Sequence, residues 1–286
     1  MKALNKLFWS SRPISWINTA YPFAATYIFL SHKLDLTLVI GSIFFLIPYN
    51  LLMYGINDVF DYESDLRNPR KGGIEGALLD KKYHKLTIWS SILSCLPFLA
   101  YLYSVSNPVS AAWLTLFVFT VIAYSAPLLR FKERPFLDSL TSSSHFVGPM
   151  IYALSLSNVD FSSRETLSCI LAFTLWGIAS HAFGAVQDVK ADREANISSI
   201  ATVIGARATV RFALAAYLAA GILILNTAFP GPIAAIAAVP YLFILAPFFN
   251  ITDEDCEKAN QGWRKFIWLN FFAGFIVTVI LIWASF

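Results

Sequence analysis

Long uninterrupted apolar stretches constrain this sequence more than any other feature. They run for about 18 to 22 residues between clusters of charged and turn-forming residues, without strict alternation of apolar and polar positions. A helix of that length crosses the ~30 Å hydrocarbon core of a bilayer, whereas barrel strands are shorter and alternate. Charged residues make up only 14% of the chain, against about 25% in soluble domains. These features exclude a disordered chain, a disulfide scaffold and an ordinary soluble enzyme. They predict an all-α polytopic membrane protein.

Breaks at charged and turn-forming clusters divide the chain into nine predicted transmembrane helices. Their predicted limits are 13–31, 36–56, 86–103, 109–124, 138–156, 165–186, 208–228, 232–250 and 264–284. The segments 57–85 and 187–206 are too polar to contact lipid. Because no internal repeat or soluble domain boundary is visible, residues 1–286 are expected to form a single transmembrane domain.

The distribution of basic residues orients these helices. With the N-terminus in the cytoplasm, 19 of the 21 Lys and Arg residues fall inside, and only Lys33 and Arg164 fall outside. Cytoplasmic loops carry such an excess, so we expect an integral protein of the cell (inner) membrane with a cytoplasmic N-terminus and an external C-terminus. Membrane lipid is the expected environment, and no nucleic-acid partner is expected.

Acidic residues are concentrated on the same side. Of the 18 Asp and Glu residues, only Asp35, Asp160 and Glu165 are predicted to lie outside. The cytoplasmic face therefore combines many charges of both signs above an apolar bundle. This arrangement favours a site for a charged ligand and a metal ion.

The first acidic cluster ends the second predicted helix. Asn57, Asp61 and Asp65 recur at every fourth position, so a continuing helix would present their oxygen atoms on one face. Like charges at this spacing repel each other. Mg²⁺ would offset the repulsion, because it prefers oxygen ligands and commonly bridges carboxylates to phosphates.

A second acidic cluster follows the sixth predicted helix. Asp188 and Asp192 repeat the four-residue spacing, and Asn196 continues the same face. A solvated helix end would explain one such cluster as well as a metal site does. Two clusters of matching spacing on the same side of the membrane favour a metal site.

Basic residues lie near these acids in the sequence. Arg and Lys side chains bind phosphate oxygens, although cytoplasmic loops also carry them for topological reasons alone. The two acidic clusters are suited to bind a metal ion, and basic residues lie nearby. Together they indicate a diphosphate ligand. The candidate diphosphate-binding residues are Arg67, Arg70, Lys71, Arg130, Lys132 and Arg134.

These residues resemble the motifs of a known family, the UbiA superfamily of membrane-embedded prenyltransferases. Residues 57–65 are similar to its NDxxDxxxD motif and residues 188–192 to its DxxxD motif. Residues 124–138 resemble its YSxPPxRxKxRPxxD loop, and Arg12-Pro13 before the first helix also fits. The resemblance extends along nearly the whole chain and implies a nine-helix bundle with its catalytic face at the cytoplasmic side.

The resemblance also implies a mechanism. Mg²⁺ would lie between the two Asp motifs and an allylic diphosphate, with Asn57, Asp61, Asp65, Asp188 and Asp192 as catalytic metal ligands. The basic residues would stabilise the leaving diphosphate, and an electron-rich carbon of a lipophilic acceptor would attack the allyl cation.

Residues 57–79 look most like the lycopene elongase branch of the family. This likeness implies transfer of a dimethylallyl group to lycopene or a related carotenoid, in the biosynthesis of C50 carotenoids. The final cation would then lose a proton or capture water.

Two other functions stay open. An aromatic-acceptor enzyme of quinone, haem or chlorophyll-type biosynthesis would share the diphosphate site and differ only in the acceptor pocket. A transporter of anionic metabolites is a more distant alternative, because transporter sites lie near the middle of the bilayer. His145 and His181 could be polar pocket residues or hydrogen-bonded structural histidines.

Overall fold

The computed structural model describes residues 2–66 and 78–286, and within these ranges every regular element is a helix. The chain divides into two compact units. Unit 1 consists of residues up to 131 together with 148–158, and unit 2 consists of residues 132–147 and 159–286. The predicted all-α class is confirmed for the described residues.

The helices of the first part of the chain belong to unit 1. The segment that begins at Leu36 is interrupted at Ile47 and Asp61, and one of its pieces, Leu51–Gly55, is a π-helix. The helices are α1 Lys2–Ser10, α2 Trp16–Ser31, α3 Leu36–Leu46, α4 Pro48–Asn50, α5 Ile56–Phe60, α6 Tyr62–Asp65, α7 His84–Val105 and α8 Pro108–Ser125.

Helix α9 runs from Leu137 to Leu156, and residues on either side of position 147 belong to different units. The later helices all belong to unit 2. They are α10 Arg164–Val186, α11 Val189–Glu194, α12 Ile200–Ile204, α13 Ala206–Ile224, α14 Val239–Leu245, α15 Asn260–Trp263 and α16 Phe266–Ala284, with a 3₁₀ segment, Gly231–Ala238, leading directly into α14.

Each of the nine predicted spans overlaps a helical segment, but fewer than nine have the length and composition to cross a membrane. In the described part of the chain six helical segments do so, and a seventh counts if the bent pair Cys256–Trp263 and Trp268–Ala284 is one span. Helix α2 has only 16 residues, fewer than the about 20 that a span needs. Helix α9 is rich in Ser and has Asp138 in its first turn.

Aromatic side chains form the core of unit 1. The ring of Phe23 lies 5.2 Å from that of Phe45 and 6.0 Å from that of Tyr152, measured between centroids. Pro48 prevents α3 from continuing, and the amide of Asn50 donates to the carbonyl oxygen of Phe45 at 2.8 Å beside this break. The carbonyl oxygen of Phe45 at the break is thereby paired.

The π-helix that follows brings the chain to the first acidic cluster. A π-turn widens the helix and leaves a backbone carbonyl without its usual partner. The hydroxyl of Ser91 on α7 donates to the carbonyl oxygen of Leu51 at 3.0 Å. This bond fixes the start of the π-helix, and α5 with Asn57 follows without interruption.

Small residues allow close helix packing in unit 2. Helix α13 buries Ala213, Ala216 and Ala220. Its Tyr217 stacks on Tyr241 with 4.6 Å between ring centroids, and the hydroxyls of Tyr217 and Ser180 lie 2.7 Å apart. The first half of α10 is tied to α9, because the hydroxyl of Ser143 donates to the carbonyl oxygen of Thr174 at 2.8 Å.

Gly177 sets the distance between α9 and α10. A Cβ atom at this position would lie 2.9 Å from Ser143 Cα and closer still to the Ser143 side chain. We expect Gly177→Ala to lower the thermal unfolding temperature of the detergent-solubilised protein, since the backbone of α9 must move. The control is Gly274→Ala in α16, where an added Cβ meets no atom within 4 Å. Equal effects of the two substitutions would contradict this role for Gly177.

Candidate active site

The structure brings Asn57 and Asp61 together, as their spacing predicts. The backbone amide of Asp61 donates to the carbonyl oxygen of Asn57 at 2.9 Å, and the side-chain amide of Asn57 donates to Asp61 Oδ2 at 2.7 Å. The Asp61 side chain is 11% exposed. Two side chains with oxygen atoms therefore lie on one face at the end of α5.

The helix does not continue regularly to Asp65. Asp61 ends α5 with backbone angles of −98° and 1°, and the separate short helix α6 runs from Tyr62 to Asp65. The structure describes the backbone of Asp65 but not its side chain. The predicted diphosphate ligands Arg67, Arg70 and Lys71 lie outside the described residues.

Asp58, the second residue of the motif, has a different environment from Asn57 and Asp61. Its side chain is fully buried, and Arg12 Nη2 lies 3.2 Å from its Oδ1 atom. The Arg12 guanidinium also lies 4.3 Å from the centre of the Tyr54 ring, a cation–π distance. Sequence reasoning assigned no role to Asp58; the ion pair holds the motif against the segment before α2.

Arg130 reaches the first motif from the end of α8. The helix ends at Ser125 before Ala126-Pro127, and Arg130 adopts a left-handed backbone conformation with φ of 38°. Its Nη2 atom lies 3.7 Å from Asp61 Oδ1. Within unit 1 the structure therefore groups one predicted phosphate ligand with two predicted metal ligands.

Lys132 and Arg134 belong to unit 2. Lys132 lies in a 3₁₀ turn, Phe131–Glu133, and is partly exposed. Arg134 is exposed, and its carbonyl oxygen accepts from the amide of Asp138 at the start of α9. Both residues therefore lie just before α9, whose first turn contains Asp138.

The second acidic motif lies at the junction of α10 and α11. Asp188 precedes α11, and its carbonyl oxygen accepts from the amide of Asp192 at 2.8 Å. The two residues are thus one helical turn apart, and both are partly exposed. They share a face, as the spacing predicts.

Two sets of polar contacts hold the second motif in place. Gln187 donates to the carbonyl oxygen of Gly184 at 2.9 Å and accepts from the amide of Asn260 at 2.5 Å. Arg193, one residue after Asp192, forms an ion pair with Asp253 at 2.6 Å. The other carboxylate oxygen of Asp253 accepts from the backbone amide of Ala206 at 2.7 Å.

Asp138, Ser139 and His181 form a buried polar chain in unit 2. Asp138 is fully buried; its Oδ2 atom accepts from the amide of Ile200 at 2.7 Å and its Oδ1 atom from the amide of Ser139 at 2.6 Å. The hydroxyl of Ser139 lies 3.2 Å from Asp138 Oδ1 and 3.1 Å from His181 Nδ1. Sequence analysis placed Asp138 in the loop that resembles the family motif and left His181 as a pocket residue or a structural histidine. It assigned no role to Ser139.

The chemistry of the donor set fits Mg²⁺, which prefers carboxylate and amide oxygens. Asn57 and Asp61 in unit 1, and Asp188 and Asp192 in unit 2, all carry such oxygens near helix ends. Across residues 2–66 and 78–286, no three Asp, Glu, His or Cys side chains are grouped as a metal site. Mg²⁺ is commonly bound through one or two carboxylates together with substrate phosphates.

Comparisons with known proteins agree on one family. Residues 20–272 match the sequence profile of the UbiA prenyltransferase family. A lycopene elongase/hydratase of Corynebacterium glutamicum is 52% identical over 99% of this chain and 98% of its own length. A C(50) beta-cyclic carotenoids biosynthesis protein LbtBC of Dietzia sp. is 54% identical over 98% of this chain, which spans 65% of that protein.

Solved structures share the fold. A UbiA homolog from Archaeoglobus fulgidus bound to DMAPP and Mg²⁺ has a TM-score of 0.68 at 18% identity, covering 96% of this chain and 99% of that chain. A structure of digeranylgeranylglyceryl phosphate synthase has a TM-score of 0.65 at 14% identity, covering 99% of both chains. With the long apolar helices, the family match identifies an integral membrane protein.

The ion pair of Arg12 and Asp58 gives the first prediction from the site. Removing one partner of a buried pair leaves the other charge uncompensated, so we expect Arg12→Gln to destabilise unit 1 by about 3 kcal/mol. Arg12→Gln combined with Asp58→Asn should lose less stability than the sum of the single substitutions. Chemical unfolding in detergent micelles measures both, and additive losses would contradict the pairing.

Asp253 gives a prediction of pH dependence. Burial alone would raise the pKa of Asp253, but the amide of Ala206 and the guanidinium of Arg193 outweigh it and lower the pKa. A lowered pKa in the folded state stabilises it above the ordinary Asp value of about 3.9, and this stabilisation is lost as the pH falls through the lowered pKa.

We therefore expect Asp253→Asn to lower the unfolding temperature at pH 7, and the difference from the unsubstituted protein to shrink under acid conditions. A pH series of thermal unfolding in detergent measures this difference. Asp255→Asn is the control, since Asp255 forms only an exposed ion pair with Lys258, and such pairs contribute little. A difference for Asp253→Asn that stays constant across the series would contradict the linkage.

Proposed function

The chain belongs to the UbiA prenyltransferase family, and we propose that it is the enzyme that transfers a dimethylallyl group from an allylic diphosphate to lycopene or a related carotenoid. The observation that carries this proposal is the 52% identity to a lycopene elongase/hydratase over nearly the full length of both chains. Two relatives with the same name, from Haloferax volcanii and Halobacterium salinarum, are 32% and 36% identical over 74% and 70% of this chain. The product would belong to C50 carotenoid biosynthesis.

We propose Mg²⁺ as the cofactor. Two of the solved structures of the same fold were bound to DMAPP or GPP together with Mg²⁺. Bound Mg²⁺ would neutralise the diphosphate and so make it a better leaving group. The residues that would hold it are Asn57, Asp61, Asp65, Asp188 and Asp192.

Basic residues would bind the remaining phosphate oxygens. Arg130 is the best supported of them, because its guanidinium lies 3.7 Å from Asp61 Oδ1 and a planar guanidinium can bridge a carboxylate and a phosphate. The other proposed residues of this type are Arg67, Arg70, Lys71, Lys132 and Arg134.

The proposed reaction breaks the bond between C1 of the donor and the bridging diphosphate oxygen, and the bonding electron pair leaves with the diphosphate. The terminal double bond of the acceptor then supplies an electron pair to the allylic carbon. This step leaves a tertiary cation on the acceptor. Apolar helices around the reacting carbons would exclude water during ionisation, which lengthens the lifetime of the cation.

We also propose the membrane arrangement of the enzyme. Nine helices would cross the cell membrane, with the N-terminus in the cytoplasm, the C-terminus outside and the catalytic face at the cytoplasmic side. The 19 to 2 division of Lys and Arg supports this orientation. A soluble diphosphate donor would then enter from the cytoplasm, and the carotenoid from the lipid.

A product assay tests the proposal. In membranes from cells that accumulate lycopene, we expect products heavier by one or two five-carbon units, detected by chromatography and mass spectrometry. Asp61→Asn and Asp188→Asn should each reduce turnover on the order of 100-fold or more, since each removes a carboxylate ligand of the Mg²⁺ that would neutralise the departing diphosphate. Removal of Mg²⁺ with a chelator should stop turnover reversibly.

Matched controls are available in the same helices. Glu63 and Glu194 are exposed carboxylates of α6 and α11, so Glu63→Gln and Glu194→Gln should retain nearly normal turnover. Near-normal turnover in Asp61→Asn or Asp188→Asn would contradict the site assignment. Unchanged lycopene, with the protein present in the membrane, would contradict the carotenoid acceptor and favour an aromatic one.

A further inference from the structure

The first helix, α1, has a surface that the proposed reaction does not explain. It contains nine residues, so it is about 14 Å long and cannot cross the ~30 Å hydrocarbon core of a bilayer. It precedes α2, which is one of the nine helices proposed to cross the membrane. The following inference concerns the surroundings of α1 and rests on that proposed membrane arrangement.

The exposed face of α1 is largely apolar. Leu4 is 72% exposed, Phe8 is 46% exposed and Trp9 is 51% exposed. Residues four apart share a face of a helix, so Leu4 and Phe8 lie side by side, and Trp9 and the exposed Asn5 complete the face. Three large apolar side chains exposed on such a short helix indicate contact with something other than water.

Lys6 lies on the other side of the same helix. Its side chain is only partly exposed, and its Nζ atom donates to the carbonyl oxygen of Leu78 at 3.1 Å. Ser10 on this side is fully buried. A helix on a water-covered surface turns its apolar side inward and its charged side outward. At these positions α1 has the reverse arrangement, which a lipid environment explains.

Two observations favour a lipid surface as the occupant of the exposed face. Exposed apolar residues continue along the chain at Ile14 and Ile17, which are 40% and 41% exposed, and Ile17 belongs to α2. Residues 2–12 contain Lys and Arg but neither Asp nor Glu, which suits the negative charge of the cytoplasmic lipid surface. Trp, as at position 9, is enriched where a membrane protein meets that surface.

Helix α1 is also connected to the first acidic motif. The backbone amide of Arg12 donates to the carbonyl oxygen of Trp9 at 3.1 Å, and Arg12 Nη2 lies 3.2 Å from Asp58 Oδ1. In addition, α1 packs against the π-helix Leu51–Gly55, which leads into α5. The position of Trp9 therefore bears directly on the position of Arg12.

We propose that α1 is an interfacial helix, which lies along the lipid surface with Leu4, Phe8 and Trp9 inserted among the first carbons of the lipid chains. Helices of this kind bury their apolar face about 5–10 Å into the boundary between headgroups and acyl chains. Held there, α1 keeps Arg12 against Asp58 and so supports the first acidic motif from the membrane surface.

Quenching of Trp9 fluorescence tests this placement. The full-length protein is reconstituted in nanodiscs of phosphatidylcholine and phosphatidylglycerol, with lipid chains brominated either near the headgroup or near the chain end. The signal of Trp9 is the difference between the unsubstituted protein and Trp9→Phe. Bromines near the headgroup should quench this signal more than bromines near the chain end, and iodide in the water should quench it weakly. Trp89→Phe supplies the reference, because Trp89 is 60% exposed in a helix long enough to span the membrane.

Paired substitutions on the exposed face test which side chains hold α1 in the lipid. Leu4→Gln combined with Phe8→Gln should reduce the bromine quenching of Trp9 and increase its iodide quenching, because the inserted face becomes polar. Leu4→Met combined with Phe8→Leu is the matched control, which keeps the face apolar. Leu, Met and Gln have similar helix propensities, so the two pairs differ mainly in polarity.

Thermal unfolding in the same nanodiscs tests the support of Arg12. The two Gln substitutions together should lower the unfolding temperature of the protein that retains Arg12. In an Arg12→Gln background they should lower it much less, because the contact through which α1 acts is already lost. An equal decrease in both backgrounds would overturn this support.

Neither measurement requires turnover, so the outcomes are distinct from those of the product assay. Absence of prenylated carotenoid would contradict the proposed function and leave the test of α1 in force. Strong iodide quenching of Trp9 with weak bromine quenching would overturn the placement in lipid. Protection of Trp9 from both quenchers would also overturn it, since that result indicates that protein, such as a second copy of the chain, covers this face.

Discussion

Polar groups in this protein must be paired wherever lipid replaces water. An unpaired backbone or side-chain group in hydrocarbon costs several kcal/mol, which forces the described chain into helices and concentrates charged residues at helix ends. The long apolar helices contain few ionisable groups, and the two acidic motifs lie where helices end or restart. A site for a charged substrate is therefore expected where the helices end rather than within the apolar helices.

Irregular turns in the helices precede the first acidic motif. Pro48 and the π-helix Leu51–Gly55 disturb a segment that would otherwise run straight from Leu36. A side chain donates a hydrogen bond to a backbone carbonyl oxygen at each irregularity. Asn50 donates to Phe45 beside Pro48, and Ser91 donates to Leu51 at the start of the π-helix. Irregular helix turns are common near functional sites. Here the break immediately precedes the segment that carries Asn57 and Asp61.

The sequence predicts the features that depend on nearby residues. Apolar stretches locate the helices to within a few residues, and the four-residue spacing correctly pairs Asn57 with Asp61 and Asp188 with Asp192. The interruption at Asp61 was not predictable, since regular spacing gives no sign of it. Nor was the pairing of Asp58 with Arg12, because the partner lies 46 residues away along the chain. The link from Ser139 to His181 spans 42 residues and depends on how closely α9 and α10 pack.

Asp138 shows why a buried carboxylate is retained in an apolar setting. Its burial is costly, yet it accepts from the first amide of α12, where a helix leaves its N–H groups unpaired. The same short helix supplies the carbonyl oxygen of Thr202, which accepts from Arg193 of α11 at 2.9 Å. One carboxylate is thus connected in one direction to the helix that carries the second acidic motif, and in the other direction to His181. The other oxygen of Asp138 accepts from the amide of Ser139, and the hydroxyl of Ser139 lies 3.1 Å from His181 Nδ1. The position of the second acidic motif and the contact with His181 therefore depend on the same buried side chain.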